Sequence, residues 1–590
     1  MDRVSSTAAW RIGVLVVLFG LAGCSSENKP AKTSLPKTPR ASAGAVPTDR
    51  TVARQEPVEP PKLPAPEFQN PPSLPPATPL PELKRAPLTP PKEATPLPAT
   101  AKQPSTSESK PAAGKAKRPA TKKNSATAFD PIKENGPIFV GWPKPKLALV
   151  ITGMEDGYLE PCGCAGLDRM KGGMTRRYTC VQQLRNNGWP LLVLDAGGLV
   201  RGFGRQAEMK FQTLVEGKRK MGYDAVAFGA DDLRLPAGEL VAAAAGIDGK
   251  PSMFLSSNVG LFGFDAAITP KSRVFDVGGV KVGVAAVLGK QYQKQIHNDE
   301  IEMSDPEAAL KQIVPELKRS ANYLVLLSHA TLEESKALAK KFPDFNVVVS
   351  SNGPEVPPRE PETVPGMKTL LITVGHKGMD LIVLGLFDDP AQPVRYQRVP
   401  LDSRFPSSPE MKMLMVAYQE QLKAVGFAGL GLRPVPHPLA ETNGRFVGSQ
   451  KCMSCHEKSY DIWKKTGHAH AYDTLVKLDP PRTADPECVS CHVIGWHPTK
   501  FFPYQSGFES KEKTPHLIDV GCEDCHGPGE KHTAAEMGSN EQLQAKLRKA
   551  MVITKEESKK QQCVSCHDLD NSPEFDFDLY WPLVEHYEKE

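Results

Sequence analysis

The chain has 590 residues, with 73 Lys and Arg against 68 Asp and Glu and 57 Pro spread unevenly along it. A net charge of only +5, with no nucleic-acid-binding motif beside the basic residues, argues against a nucleic-acid partner. Of the 12 Cys, eight fall after residue 450, so the chemistry of the chain is concentrated at its C-terminal end.

In chain order, the first segment has Arg3 and Arg11 ahead of or at the edge of a short apolar run, 12–21. That run is too short to span a hydrocarbon core of about 30 Å and fits the apolar core of a signal peptide, 1–23. It ends in Leu21-Ala22-Gly23-Cys24, which resembles a bacterial lipobox. The resemblance implies cleavage before Cys24 and a lipid on that residue, hence contact with a membrane. Ser25 after the Cys, rather than Asp, points by the same resemblance to the outer membrane of a cell envelope. An ordinary signal peptide with a chance Cys is the bland alternative.

Residues 24–143 read as a disordered, Pro-rich tether. Between residues 31 and 120, 22 of 90 residues are Pro, mixed with Ala, Thr, Ser and Lys, a composition that cannot bury a core. Between residues 31 and 123 there are 16 Lys and Arg against 7 Asp and Glu, so the spacer carries the positive charge and the rest is slightly acidic.

Residues 144–405 are cysteine-poor and long enough for one sizeable core. Short apolar runs at 147–151, 191–194, 225–228, 253–256, 280–287, 323–327, 347–349, 370–374 and 381–387 predict strands. Amphipathic stretches at 173–186, 207–221, 305–319 and 331–342 predict helices. Apolar strands alternating with helices indicate an α/β domain whose strands are buried on both faces. Residues 406–445 form a helical connector, with a helix at 409–427 capped by Ser408 and begun by Pro409.

Four pieces of this domain occur in a familiar order: Leu191-Leu-Val-Leu-Asp195-Ala-Gly-Gly198, Gly222-Tyr-Asp-Ala-Val-Ala-Phe-Gly229-Ala-Asp-Asp232, Leu326-Leu-Ser-His329 and Gly375-His-Lys-Gly378. Together they resemble the metallophosphoesterase domain of the 5′-nucleotidase family. The resemblance implies a four-layer α/β sandwich in which strand ends hold two metals that activate water for attack on phosphate. This sequence departs from that ligand list. Gly153-Met-Glu-Asp156 lacks the family's first His, Gly197-Gly198 replaces Gly-Asp, and Gly229-Ala230-Asp231-Asp232 replaces Gly-Asn-His-Glu. Ser350-Ser351-Asn352-Gly353 replaces Gly-His-x-His. Only Asp232 and His329 carry over, with Asp195 near the lost carboxylate, so an inactive domain is expected.

One feature there is not a decayed copy. Glu160-Pro-Cys162-Gly-Cys164, followed by Lys171-Gly-Gly173, stands where the family places its first metal ligands. Cys162 and Cys164 are candidate ligands for an additional soft metal, with Cys180 or His329 as a third. A disulfide to Cys180, or plain buried thiols, are the alternatives.

The region 446–590 holds four Cys-x-x-Cys-His runs. They are Cys452, Cys455 and His456; Cys488, Cys491 and His492; Cys522, Cys525 and His526; and Cys563, Cys566 and His567. This is the attachment pattern of a c-type haem, in which two thiols bond the porphyrin and the next His ligates the iron. Zinc knuckles also use paired Cys but give no reason for a His after the second Cys in all four. Four covalent haems c are therefore expected. Ten of the 14 His lie here, leaving six beyond the motifs to close the far side of the irons.

Gly448-Ser-Gln-Lys-Cys452, Trp463 with Gly467-His468-Ala469, Cys522 to Gly529 with His532, and Asn571-Ser-Pro573 with a late His586 make this region similar to the cytochrome c-554 family of multihaem cytochromes. The resemblance implies a mostly α, loop-rich fold wrapped around its haems. Position relative to the motifs makes His468, His532 and His586 the best distal ligands. The fourth lies between His497 and His516, with His516 favoured, and His470 is expected at the surface. The whole then reads as a multidomain, lipid-anchored electron carrier of the bacterial periplasm or cell envelope, exchanging electrons with other redox proteins. Two alternatives stand beside it: a redox enzyme acting on a small nitrogen or sulfur compound at one open haem, and a surviving 5′-nucleotidase-like hydrolase.

Overall fold

The computed structural model describes residues 129–163, 166–247 and 249–586, all within one compact unit, 115–590. The expected signal peptide, Cys24, most of the tether and Cys164 lie outside the described residues. Among the described residues, no helix is long and apolar enough to cross a membrane.

Thirteen strands organise the α/β part, in chain order β1 (Leu147–Thr152), β2 (Leu191–Asp195), β3 (Ala225–Val226), β4 (Val259–Leu261), β5 (Ser272–Val277), β6 (Val280–Leu288), β7 (Ile301–Met303), β8 (Tyr323–His329), β9 (Val347–Ser350), β10 (Glu362–Thr363), β11 (Leu370–Thr373), β12 (Asp380–Leu386) and β13 (Val394–Pro400). One sheet runs β13-β12-β1-β2-β3 and the second β10-β11-β9-β8-β6-β5, while β4 and β7 pair separately. Within the first, β1, β2 and β3 are parallel and β12 runs antiparallel to β1; within the second, β6, β8, β9 and β11 are parallel.

Alternation along each strand builds the layers. Leu147, Leu149 and Ile151 of β1 meet Val282 and Val284 of β6, Val325 and Leu327 of β8, and Val347 and Val349 of β9 between the two sheets. Their neighbours Ala148 and Val150 face the helices Met174–Asn186 and Arg205–Met221 on the outer side of the first sheet. Across the molecule, Leu324 and Leu326 face Leu310, Val314 and Leu338 of the helices Pro306–Ser320 and Leu332–Lys341. Helix, sheet, sheet and helix make the expected four-layer sandwich, and burial on both faces explains the unbroken apolar runs.

Eight of the nine expected strand runs are strands. The run 253–256 instead contributes an isolated bridge, Val226 to Phe254. Strands β5 and β13 escaped the apolar-run criterion because they are partly exposed and polar residues interrupt them, Arg273 and Asp276 in β5 and Arg395, Gln397 and Arg398 in β13. The connecting helix is Pro409–Gly429, with Ser408 Oγ accepting from Met411 N–H as expected and a break at Gly426. Its Met411, Met415, Tyr418 and Leu422 are buried against the first sheet's outer helices.

The C-terminal part is short helices and loops around one small cluster that includes Phe446, Tyr472, Leu475, Ile494, Trp496 and Phe508. A chain segment of this length needs more buried surface than that cluster supplies.

Candidate haem centres and a remodelled metal cleft

Each Cys-x-x-Cys-His run is coiled into one helical turn. His456 and His567 N–H donate to the carbonyls of Cys452 and Cys563 at 2.9 Å, and Cys491 N–H donates to Cys488 O at 3.3 Å. The helix Cys522–His526 carries the third run, with Asp524 Oδ2 accepting from Gly521 N–H at 2.7 Å. Positions three apart on such a turn share a side, so both thiols of a pair face one macrocycle and the His emerges beside them. Thiols of different motifs also meet. Cys452 lies beside Cys522, and Cys491 beside Cys566.

The thiols are not equally enclosed. Cys455 and Cys525 are exposed, while the other six motif thiols are half-buried. The reason is local. The turn that carries Cys455 lies at the surface, with Met453, Ser454 and His456 exposed on either side of it. Cys455 is placed by that turn alone, its N–H donating to Cys452 O at 3.2 Å and its Sγ accepting from Ser454 Oγ at 3.9 Å. Its spacing from Cys452 fits attachment to one macrocycle.

Three motif histidines stand opposite histidines from elsewhere in the chain. His456 and His532 have ring centroids 6.3 Å apart, His468 and His567 6.0 Å, and His526 and His586 5.7 Å. An imidazole on each side of one metal, each bonded at about 2 Å, puts ring centres about 6 Å apart. Several of these rings are fixed through Nδ1: His492 to Ala471 O at 2.6 Å, His526 to Met551 O at 2.6 Å, His586 to Val584 O at 2.8 Å and His567 to Ser572 Oγ at 3.0 Å. With Nδ1–H directed at oxygen, Nε2 is left as the metal-facing nitrogen. The three candidate distal residues His468, His532 and His586 are thus each brought to a motif His.

The remaining candidates lie differently. His516 is exposed on the 3-10 turn Pro515–Leu517, His470 is exposed, and His497 packs among Phe502 and Tyr504.

In the α/β part, the strand ends that would hold metals are occupied otherwise. His329 is buried, with Nδ1 against Ala196 O at 3.1 Å and Nε2 accepting from Ala230 N–H at 3.1 Å. Burial lowers its pKa to about 4, so both ring nitrogens belong to a neutral structural imidazole. Asp232 accepts backbone N–H from Gly229, Gly198 and Val200 at 2.7, 3.1 and 3.0 Å, although burial pushes its carboxyl up to about 6. A Cβ on Gly198 would lie 2.6 Å from Met154 Sδ and 3.4 Å from His329, so Met154 sulfur fills the space an acidic side chain there would need. Among the described residues, no three His, Cys, Asp or Glu are grouped to hold a metal ion. The residues present therefore do not fit the family's two-metal centre.

A buried charge network, which the sequence reading missed, lies beside this cleft. Lys218 Nζ sits 2.8 Å from Glu155 Oε1 and 2.6 Å from Asp195 Oδ2; Arg177 Nη1 reaches Glu155 Oε1 at 2.6 Å, and Thr152 Oγ1 donates to Asp195 Oδ2 at 2.5 Å. Burial and the Asp195 charge push Glu155 up to about 7, whereas Lys218 holds Asp195 below the usual range despite its burial. The available signal was Lys218 on the face of its helix shared with Phe211, Leu214 and Met221, spaced three to four apart.

Cys162 lies on a half-buried loop anchored by Glu160, whose carboxylate accepts from Thr175 N–H and Oγ1–H at 2.7 and 2.9 Å. Cys180 is buried in the core and unbridged, its thiol pushed up to about 12 by burial. The loop touches the cytochrome part, for Arg482 donates to Pro161 O at 2.9 Å and Cys162 O at 3.2 Å. Nearby, Asp485 accepts from Gln206 and Gln419 at 3.0 Å each, and Lys210 pairs with Glu487 at 2.5 Å, which pins the turn bearing Cys488 to the α/β helices.

Fold and motifs together define a region of four c-type haem-attachment runs, as in c-type cytochromes, joined to a metallophosphoesterase-like sandwich. Within the C-terminal region, residues 451–527 match the model of the family described as cytochrome c554 and c-prime, a stretch that takes in the first three motifs. The chain is 40% identical over 97 residues to cytochrome c-554 of Nitrosomonas europaea, covering 14% of this chain and 39% of that protein. It is 27% identical over 207 residues to snake venom 5′-nucleotidase of Gloydius brevicauda, covering 32% of this chain and 33% of that protein. The 5′-nucleotidase precursor of Thermus thermophilus superposes with a TM-score of 0.39 at 19% identity, over 47% of this chain and 59% of that one. The chain thus spans well under half the length of either sequence relative.

Proposed function

We propose that this protein is a lipid-anchored, extracytoplasmic tetrahaem cytochrome that passes electrons among redox partners, with a sandwich domain that no longer hydrolyses phosphate esters. The observation that carries this reading is the set of three opposed imidazole pairs at bis-histidine spacing, each containing one motif His. His456 and His532 would hold the first iron, His526 and His586 the third, and His567 and His468 the fourth. His492 would hold the second from its proximal side, with His516 as the sequence-based candidate opposite. Covalent haem supplies the reversible iron couple; the chain's own residues orient the imidazoles and exclude water. Contact between Cys452 and Cys522, and between Cys491 and Cys566, supports electron passage within a first–third and a second–fourth haem pair.

Haem c is attached outside the cytoplasm, which agrees with a lipobox at Cys24 and a cell-envelope location. An inactive sandwich is supported by the engagement of His329 and Asp232 with backbone groups and by Met154 in the cleft. Cys162 and Cys164 remain candidates for an additional metal. The test is the haem load of mature protein, by pyridine haemochrome assay with intact mass. Four covalent haems are expected, and a mass gain equal to fewer would overturn the reading.

A further inference from the structure

We infer that the sandwich domain positions the axial imidazole of the fourth haem, with Lys377 and Arg169 holding the loop that orients His567. The inference rests on the reading above that His567 and His468 ligate one iron.

Two contacts set the His567 ring. Its Nδ1 meets Ser572 Oγ at 3.0 Å, and the Phe575 ring stacks on it at 4.4 Å with the planes 10° apart. Both Ser572 and Phe575 belong to the loop 568–575, which is held internally only by short turns: Asn571 N–H to Asp568 Oδ1 at 2.7 Å, Ser572 N–H to Asp568 O at 2.8 Å and Phe575 N–H to Ser572 O at 2.9 Å. A loop of this kind needs outside anchors to keep one geometry.

The anchors come from the sandwich. Asp570 is paired with the Lys377 ammonium, and His376 Nε2 stands 3.9 Å from its other oxygen. Four residues on, Glu574 is paired with Arg169 Nε at 2.6 Å. Lys377 adopts a left-handed backbone (φ 51°) between Gly375 and Gly378 on the turn entering β12. A non-glycine residue there is strained, and the strain is tolerated where the placement of the side chain matters. Lys377 also stands 5.8 Å from the Tyr158 ring centre, on the same side of the sandwich as the altered first motif.

Other imidazoles are anchored without the sandwich. His526 and His586 point Nδ1 at Met551 O and Val584 O, and His532 faces Glu536, all within the C-terminal part. Axial-ring orientation and the Nδ1 hydrogen bond tune the electronics of a haem iron. Through this loop the sandwich acts on the axial imidazole of the fourth haem, whereas its Lys210–Glu487 contact holds the turn that carries Cys488 and not an axial ring.

The experiment uses full-length haem-loaded protein carrying Lys377→Met with Arg169→Met, read by EPR and by spectroelectrochemical titration. Ser572→Ala serves as the reference for loss of the Nδ1 partner. The double variant is expected to move the low-spin signal and midpoint of one haem in four, in the manner of Ser572→Ala, with the other three unmoved. The exchange Lys377→Asp with Asp570→Lys, which keeps the pair, should restore the wild-type signal. Wild-type signals in the double variant, or an equal change at all four haems, would overturn the positioning role. His567→Ala separates the two levels. No new high-spin iron in that variant withdraws the ligand assignment itself, whereas a new high-spin iron beside an unmoved double variant defeats only the positioning. Should the double variant lose haem, the decision passes to the exchange pair: wild-type signals there support the role, and an altered fourth haem despite the retained pair overturns it.

Discussion

His329 shows how one residue changes its work while keeping its place. Both ring nitrogens are engaged by backbone, and burial keeps the ring neutral down to about pH 4. Its folded pKa lies below the ordinary value of 6.5, so between pH 6.5 and 4 the unfolded chain binds a proton that the folded chain refuses. Stability is therefore full above pH 6.5 and lost as the pH falls. The wild type should lose about 3 kcal/mol more than His329→Gln between pH 7 and pH 4, measured by denaturant unfolding. Equal acid slopes would refute a neutral, structurally bonded imidazole. Lys218 gives a second case. It is the cation between two buried carboxylates, so Lys218→Met strands Asp195, leaves Glu155 with Arg177 alone, and should cost about 3–5 kcal/mol. A loss below about 1 kcal/mol would mean that the carboxylates had taken up protons cheaply. The missing metal ligands were legible because each is a residue type at a fixed motif position. The replacement network was not, because only the fold brings Glu155, Arg177, Asp195 and Lys218 together.

At the scale of elements, the strands buried on both faces were plain in the sequence, since two-sided burial demands unbroken apolar runs. Edge strands such as β13, paired only with β12, are interrupted by polar residues such as Arg395, Gln397 and Arg398 and gave no such run. In the cytochrome part the motifs were readable to the residue, and so were three candidate distal histidines. The surface position of the turn bearing Cys455 was not, because the motif fixes spacing within a turn and says nothing of what packs outside it. Which motif each distal histidine faces was not readable either, for the pairings join residues far apart in the chain and follow from how short helices pack. The helix Glu530–Glu536 carries His532 to His456, with Glu536 held by Arg548 at 2.6 and 2.8 Å. His532→Ala should turn about one haem in four high-spin without loss of covalent haem and create a fraction that binds carbon monoxide when reduced. An unchanged spin state would remove His532 from the ligand set.

For the whole molecule, the sandwich and the cytochrome part lie within one compact unit, tied by Lys210 to Glu487, Arg482 to Pro161 and Cys162, and Lys377 to Asp570. Sandwich catalysis and electron transfer make opposite predictions for the purified protein. Added manganese or zinc should give negligible phosphomonoesterase or nucleotidase turnover, because the cleft side chains are already committed to the fold. Robust nucleotide hydrolysis that disappears in His329→Ala would reverse that conclusion.

The three imidazole pairs also have a topological meaning. Each iron, once ligated, ties residue 456 to 532, 468 to 567 or 526 to 586, and these three closures overlap along the chain. In chain-entropy terms each is a cross-link that removes on the order of 4 kcal/mol of freedom from the unfolded ensemble, as a disulfide over a comparable loop does. Because the loops overlap, cutting the backbone once anywhere from 456 to 586 would still leave at least one coordination bridge joining the two pieces, and a cut from 468 to 567 would leave at least two. On the proposed ligation the metal centres would serve as staples for a segment with little apolar interior, coupling iron ligation to folding.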